Sequence, residues 1–313
     1  MIQDVIGTMY LFWPLTILAF ILVFLAGILF AISLGSLFTI GALTTYYSYV
    51  YLKQKGIFQM IYNWIQNKNG LVGETLVGNV RETFVLKGHL DAIPEGPVLF
   101  VAHPHGLFSM APFLHWAAEL TTWPSQRKVH IAIHSIFFRI PLVREVCEQF
   151  GAIEATDEQI RNVLGKGESV ALLTGGISEL NATTPGRMQI YLKKRKGFAR
   201  IAKELAVPIV PVLTFGENEL FPPMQGFWTD WVQTYLRSWF GISIPVPTFE
   251  SGRNWFRLLR GPLKPQIETW IGKTVQTDDK KTVETIRNHI VSAFEEIYRE
   301  GRPAGYQEQI EIL

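Results

Sequence analysis

Residues 5–52 carry no charged side chain; Asp4 and Lys53 bound the run. As one helix it would extend about 70 Å, more than twice the roughly 30 Å thickness of bilayer hydrocarbon. A chain with such a run must break it to place it in a membrane, and Ser33, Gly35 and Ser36 supply a break. They leave residues 11–32 and 37–52, each near spanning length, so the pattern predicts a transmembrane helical hairpin. A single tilted span with a re-entrant piece is the alternative. Lys53 and Lys55 follow at once and set the bulk of the protein on the cytoplasmic side. Tyr10, Phe12 and Trp13 at one end, with Tyr46, Tyr47, Tyr49 and Tyr51 at the other, suit an interfacial aromatic belt. A cleaved signal peptide fits poorly, because no basic segment precedes the run and the run is too long.

The remainder is long enough to bury a sizeable core. Three regions are expected: a membrane hairpin over 1–55, an interfacial amphipathic segment over 56–80, and a cytosolic domain over 81–313. In the second region Ile57, Met60, Ile61, Trp64 and Ile65 fall on one helical face. A net charge of +2 gives no case for nucleic acid as a bulk partner. The single cysteine, Cys147, excludes an intrachain disulfide.

From Arg81 onward, strand-like and helix-like runs alternate. "GPVLFVA", "KVHIAI", "SVALLTGG" and "VPIVPVLTFG" read as strands, and "MAPFLHWAAEL", "DEQIRNVLGKG" and "RKGFARIAKELA" as helices. That alternation implies an α/β core with a mostly parallel sheet flanked by helices. The C-terminal "DDKKTVETIRNHIVSAFEEIYRE" reads as an amphipathic helix docked on the sheet. Trp228, Trp231, Tyr235 and Trp239 recur at three- and four-residue steps, a stripe that suits either core or a membrane-surface helix.

Three constellations carry the chemistry. In the first, the strand "GPVLFVA" runs into His103-Pro104-His105-Gly106; the extended backbone before proline should project both imidazoles to one side. Two imidazoles there suit general-base work on a hydroxyl, or a metal. The metal reading would draw on His130 and His134, but no further Cys/His cluster supports it. The second is "LLTGGISEL", in which Gly175 and Gly176 let backbone N–H groups approach an oxyanion or phosphate, with Glu179 just beyond. The third joins the basic run at Arg195 and Lys196, before Gly197 and Phe198, to the strand that leads into Gly216-Glu217-Asn218-Glu219. No Walker-type loop or Gly-x-Ser-x-Gly elbow is present, against a nucleotide hydrolase or a serine lipase.

"HPHG" at 103–106, "IPLVRE" at 140–145, "GGISEL" at 175–180, "RKGFARIA" at 195–202 and "VPIVPVLTFGENE" at 207–219 together resemble the type 2 diacylglycerol acyltransferase family. The family also includes monoacylglycerol and wax-alcohol acyltransferases. The resemblance implies a glycerolipid-acyltransferase-like core and transfer of an acyl group from acyl-CoA to the hydroxyl of diacylglycerol or a related acceptor. The expected setting is the endoplasmic reticulum membrane or a lipid droplet, with a homo-oligomer possible and the bilayer as partner. No metal or bound cofactor is implied, because the thioester already activates the acyl group.

Within that resemblance His105 is the general base, since family members can carry Glu-Pro-His and retain only the second imidazole. His103 then positions His105 or the acceptor. The related His-x-x-x-x-Asp pattern is not met, so a carboxylate from elsewhere must hold the imidazolium: Glu179 first, Glu217 next. Gly106, Gly175 and Gly176 are the oxyanion candidates. Arg195, Lys196, Gly197, Phe198, Glu217 and Asn218 are the candidates for acyl-CoA or substrate contact. The Tyr-Phe-Pro element usual upstream is missing; the corresponding region reads "ETFVLKG". That weakens the inference about the acceptor more than the inference of acyl transfer. A non-catalytic membrane scaffold is the rival from another class.

Overall fold

The computed structural model describes residues 71–313 except 105, 107–108, 120, 122, 124–126, 142, 177, 180–183, 223, 225, 241–245 and 279. Upstream it describes residues 25, 32–33, 35–53, 55–56, 59–60 and 63. The chain divides into two compact units, Met1–Ile57 and Phe58–Leu313.

In the first unit residues 35–53 form a helix with exposed apolar side chains, among them Leu37, Phe38 and Ile40. Among the described residues no helix is long and apolar enough to cross a membrane. Most of the expected first arm, residues 11–32, lies outside the described residues, as do most of residues 56–70 of the interfacial segment expected over 56–80; its last part, 71–80, belongs to a helix, Leu71–Thr83, that buries Val77 and Val80 in the core.

The second unit is an α/β fold. Its strands are β1 (Phe84–Gly88), β2 (Leu99–His103), β3 (Val129–Ile133), β4 (Ile153–Glu154), β5 (Ser169–Leu172), β6 (Gln189–Ile190), β7 (Ile209–Phe215), β8 (Ile267–Ile271) and β9 (Glu311–Ile312). Its helices are α1 (Leu71–Thr83), α2 (Met110–Pro112), α3 (Val143–Gln149), α4 (Asp157–Gly165), α5 (Gly197–Glu204), α6 (Glu217–Leu220), α7 (Phe227–Phe240), α8 (Phe249–Leu258) and α9 (Val283–Gly301). Seven strands form one sheet in the order β1-β8-β7-β2-β5-β3-β4, while β6 and β9 pair separately. Every pairing in the large sheet is parallel except β7 with β8.

Period-two alternation aims the central strands into two helical layers. On β2, Leu99 and Val101 join a core with Ile160 and Val163 of α4, Ile201 of α5, and Ile286, Ile290 and Phe294 of α9. Phe100 and Ala102 face the other way, with Trp116, Ala117 and Val212. Both faces are covered, which is why β2 and β7 read as unbroken apolar runs. Helix α9 lies on the sheet as its apolar face demands. The small β6–β9 ladder is extended by Leu192 and Lys193, whose N–H groups donate to Leu313 O at 2.9 and 2.7 Å.

After α2 the chain makes a π-helical turn, Phe113–Ala117, that carries His115 into the interior. Its Nδ1 lies 2.7 Å from Thr121 Oγ1 and its Nε2 3.0 Å from Thr269 Oγ1. Burial lowers its pKa to about 3, so the folded protein keeps the ring neutral while the unfolded chain protonates near 6.5. Stability from this group is complete above 6.5 and is lost as pH falls toward 3. Going from pH 7 to pH 5 should cost about 2 kcal/mol through His115. Thermal melts of the native chain and of His115→Gln check this: the variant should lose correspondingly less on acidification.

Candidate active site

Strands β7, β2 and β5 are parallel neighbours, so their C-terminal ends lie on one edge of the sheet. In open α/β sheets that edge is where ligands bind. It brings together the end of β2 with "HPHG", the Gly175-Gly176 turn after β5, and the Gly216-Glu217 turn after β7. Three separate constellations of the sequence thus converge through strand order.

His103 ends β2 on the same face as Leu99 and Val101, with its ring edge-on to Phe294 at 5.1 Å. It is buried, and both ring nitrogens are engaged. Nδ1 lies 2.6 Å from Glu179 Oε2, and Nε2 lies 2.7 Å from Thr174 Oγ1. With the carboxylate accepting, the network assigns the proton to Nδ1 and a lone pair to Nε2, toward which the Thr174 hydroxyl donates. Glu179, also buried, accepts a second hydrogen bond from Tyr191 N at 3.2 Å. A carboxylate behind an imidazole is the arrangement that holds a histidine in one tautomer and orientation.

Expectation and geometry divide here. Glu179, expected behind His105, is paired with His103. His105 itself lies outside the described residues. Thr174 was contained in "SVALLTGG" but not singled out; its place directly before the glycine pair was the available signal.

The glycines are required by what surrounds them. A Cβ on Gly175 would overlap the Glu179 carboxyl group and lie 2.6 Å from Glu179 Cβ. Gly176 and Gly106 adopt φ of +57° and +58°, where side chains are strained. Gly175→Ala should therefore cost about 1–3 kcal/mol by overpacking and displace the carboxylate. A lower melting temperature together with reduced turnover is the expected readout; a variant matching the native chain in both would contradict the close approach.

Glu217 supports the same edge from β7. Its Oε1 accepts from Met110 N at 2.8 Å and its Oε2 from Ala111 N at 3.2 Å, which ties the start of α2 to the end of β7. A Cβ on Gly106 would come within 2.7 Å of Oε1, so the carboxyl also packs against the turn after His105. Burial raises the Glu217 pKa to about 7, although the two backbone donors pull the other way. Its described partners are backbone amides rather than an imidazole. Asn218 is buried beside it, and its Oδ1 has no partner among the described residues.

The basic segment separates into unlike parts. Arg195 is exposed, and its Nη2 would lie 3.9 Å from a Cβ on Gly176, so the guanidinium overlooks the glycine turn. Lys196 is paired instead with Glu284 of α9 at 2.7 Å. Gly197 opens α5 with open space around it. Phe198 is 2% exposed and packs in the core. Burial leaves Phe198 no surface for substrate, which corrects the expectation of contact there.

His130 is held by Gly151 O at 2.5 Å and Glu168 Oε2 at 2.7 Å. His134 accepts from Ile136 N at 3.2 Å at the head of a short 3-10 turn. Both are accounted for by local structure. Among the described residues no three His, Cys, Asp or Glu side chains gather as a metal site would require.

The sequence model of the family described as "Diacylglycerol acyltransferase" matches residues 44–301. The chain belongs to that family. Among its relatives, diacylglycerol O-acyltransferase 2 of Dictyostelium discoideum is 30% identical over 217 residues, covering 66% of this chain and 64% of that protein. Human acyl-CoA wax alcohol acyltransferase 1 is 36% identical over 137 residues, 42% of each chain. The chain thus spans less than two thirds of the length of either relative. Among solved structures, the 1-acyl-sn-glycerophosphate acyltransferase of Thermotoga maritima aligns over 80% of this chain and 84% of that one, with a TM-score of 0.46 and 14% identity.

Proposed function

We propose that the chain is an acyl-CoA-dependent O-acyltransferase that esterifies diacylglycerol to triacylglycerol. The observation that carries this reading is the carboxylate-backed imidazole, His103–Glu179, set at the strand-end edge in a chain of the diacylglycerol acyltransferase family. In this mechanism His105 takes the proton of the acceptor hydroxyl as its oxygen attacks the thioester carbonyl. His103, locked between Glu179 and Thr174, fixes the turn that presents His105. Backbone N–H groups at Gly106, Gly175 or Gly176 receive the developing oxyanion. Collapse of the tetrahedral intermediate expels the CoA thiolate, which recovers the proton from the His105 imidazolium.

Arg195 is the preferred phosphate contact for CoA, because it overlooks the glycine turn and has no ion-pair partner among the described residues, whereas Lys196 is occupied by Glu284. Asn218, whose buried Oδ1 has no partner among the described residues, is the candidate for accepting a hydrogen bond from the acceptor hydroxyl or another substrate donor. Residues 1–55 form the membrane hairpin in this reading, with the catalytic unit on the cytosolic side of the endoplasmic reticulum or on lipid droplets.

A second reading keeps the chemistry and changes the acceptor to monoacylglycerol, a long-chain alcohol or a lysophospholipid. The missing Tyr-Phe-Pro element and the wax-alcohol relative favour giving it a place. The test is acyl transfer from labelled oleoyl-CoA in membranes containing the chain, with each acceptor in turn. Labelled triacylglycerol supports the first reading and another ester the second. No ester from any acceptor, in folded protein, would leave the membrane scaffold.

A further inference from the structure

Helix α8 turns large apolar side chains to solvent as well as to the core. Its inward positions are Ser251, Asn254 and Leu258, and the two polar ones are spent on backbone carbonyls: Ser251 Oγ donates to Pro222 O at 2.7 Å and Asn254 Nδ2 to Leu220 O at 2.8 Å. A third tie reaches the helix from α1, where Asn79 Nδ2 donates to Leu258 O at 2.8 Å. These polar ties anchor the helix together with Leu258 and Trp255, which pack into the core, Trp255 against Phe221 at 5.2 Å. The outward face carries large apolar groups too: Phe249 is 94% exposed, Phe256 70% and Leu259, just past the helix end, 54%. An ordinary surface helix keeps that face polar.

The groove along this face, about 270 Å³, is lined by Met224, Pro247, Thr248, Phe249, Gly252, Arg253 and Phe256. Exposed cations lie in the same segment, with Arg253 in the groove wall. Arg253, Arg257, Arg260 and Lys264 lie in residues 246–264 against the single acid Glu250, a formal excess of three positive charges. Aromatic side chains that stand free of the protein, interleaved with exposed arginines, match the two layers of an anionic membrane surface: acyl chains below, phosphate headgroups at the guanidinium level.

From this face we infer that α8 is a membrane-docking helix of the second unit, seating Phe249, Phe256 and Leu259 in the outer layer of a phospholipid bilayer with its arginines among anionic headgroups. The surface is distinct from the hairpin of residues 1–55 and does not depend on the acyl-transfer reading. Its charge excess favours lipid over a neutral apolar protein groove as the occupant.

The test uses the full chain with Cys147 replaced by Ala and a single cysteine introduced as Phe249→Cys, Phe256→Cys or, as a control on exposed α4, Glu158→Cys. Each carries an environment-sensitive dye and is reconstituted in vesicles containing anionic phospholipid. Dyes at 249 and 256 should be quenched by spin-labelled acyl chains and be several-fold less sensitive to aqueous iodide than the dye at 158. Quenching by iodide equal to the control would overturn the proposal. So would shielding from both quenchers, which would mean that this chain, a second copy or another protein covers the face. The substituted side chains are exposed, so circular dichroism and gel filtration should match the unlabelled chain, and acyl transfer measured on the same vesicles separates failure of docking from failure of the proposed reaction.

Discussion

His105→Ala is expected to lower acyl transfer by about 10²–10⁴-fold, the usual contribution of a general base, in a chain that still folds. In the proposed mechanism His105 is the imidazole next to the reacting hydroxyl, and its removal deletes the proton acceptor while Pro104 and Gly106 keep the turn. Initial rates with labelled oleoyl-CoA, measured beside the melting temperature, check both halves. Retention of activity within tenfold would move the base to His103, whose Nε2 lone pair already faces a hydroxyl, that of Thr174.

His103→Ala should fail differently. Its ring and the Glu179 carboxylate are almost wholly buried, and truncation leaves the carboxylate in the interior with its imidazole partner gone. Removing the donor to a buried acceptor costs about 1–3 kcal/mol, more where the acceptor is charged, a large share of the roughly 5–15 kcal/mol that holds a domain together. The expected result is a melting temperature lower by many degrees. His103→Gln, able to donate to the carboxylate, should recover part of the stability. If His103→Ala melted like the native chain, the pair would not be the anchor described above. The contrast between neighbouring histidines is the diagnostic: one loss appears in rate, the other in stability.

The strands at 99–103, 129–133, 169–172 and 209–215 were legible because a parallel sheet covered on both faces leaves continuous apolar runs. Helices α4, α5 and α9 showed their periodicity equally plainly. Strand β8 was not read: it is five residues long, and only Ile267, Thr269 and Ile271 turn inward, with Glu268 and Trp270 between them. Helix α8 escaped for a physical reason, since its apolar residues point both ways, Leu258 inward and Phe249 and Phe256 outward, while Ser251 and Asn254 occupy inward positions, so no single apolar stripe marks it. At the site, the three motifs were visible one by one, but their meeting depends on β7, β2 and β5 being neighbours, which no local pattern encodes. The pairing of Glu179 with His103 is of the same kind. It joins residues 76 apart in the chain through strand order and the glycine turn.

The small β6–β9 ladder bears on the order in which the protein folds. It pairs Gln189 with Glu311 and Ile190 with Ile312, immediately before Tyr191, whose N–H reaches Glu179, and Arg195, which overlooks the glycine turn. The central strands β2, β5 and β7 lie within residues 99–215, whereas the strand that pairs with this segment lies at Glu311–Ile312. The segment beside the site is held by a contact spanning more than a hundred residues, and such non-local closures are slow. A refolding chain can pair its central strands before the segment beside Glu179 is held by a strand of its own.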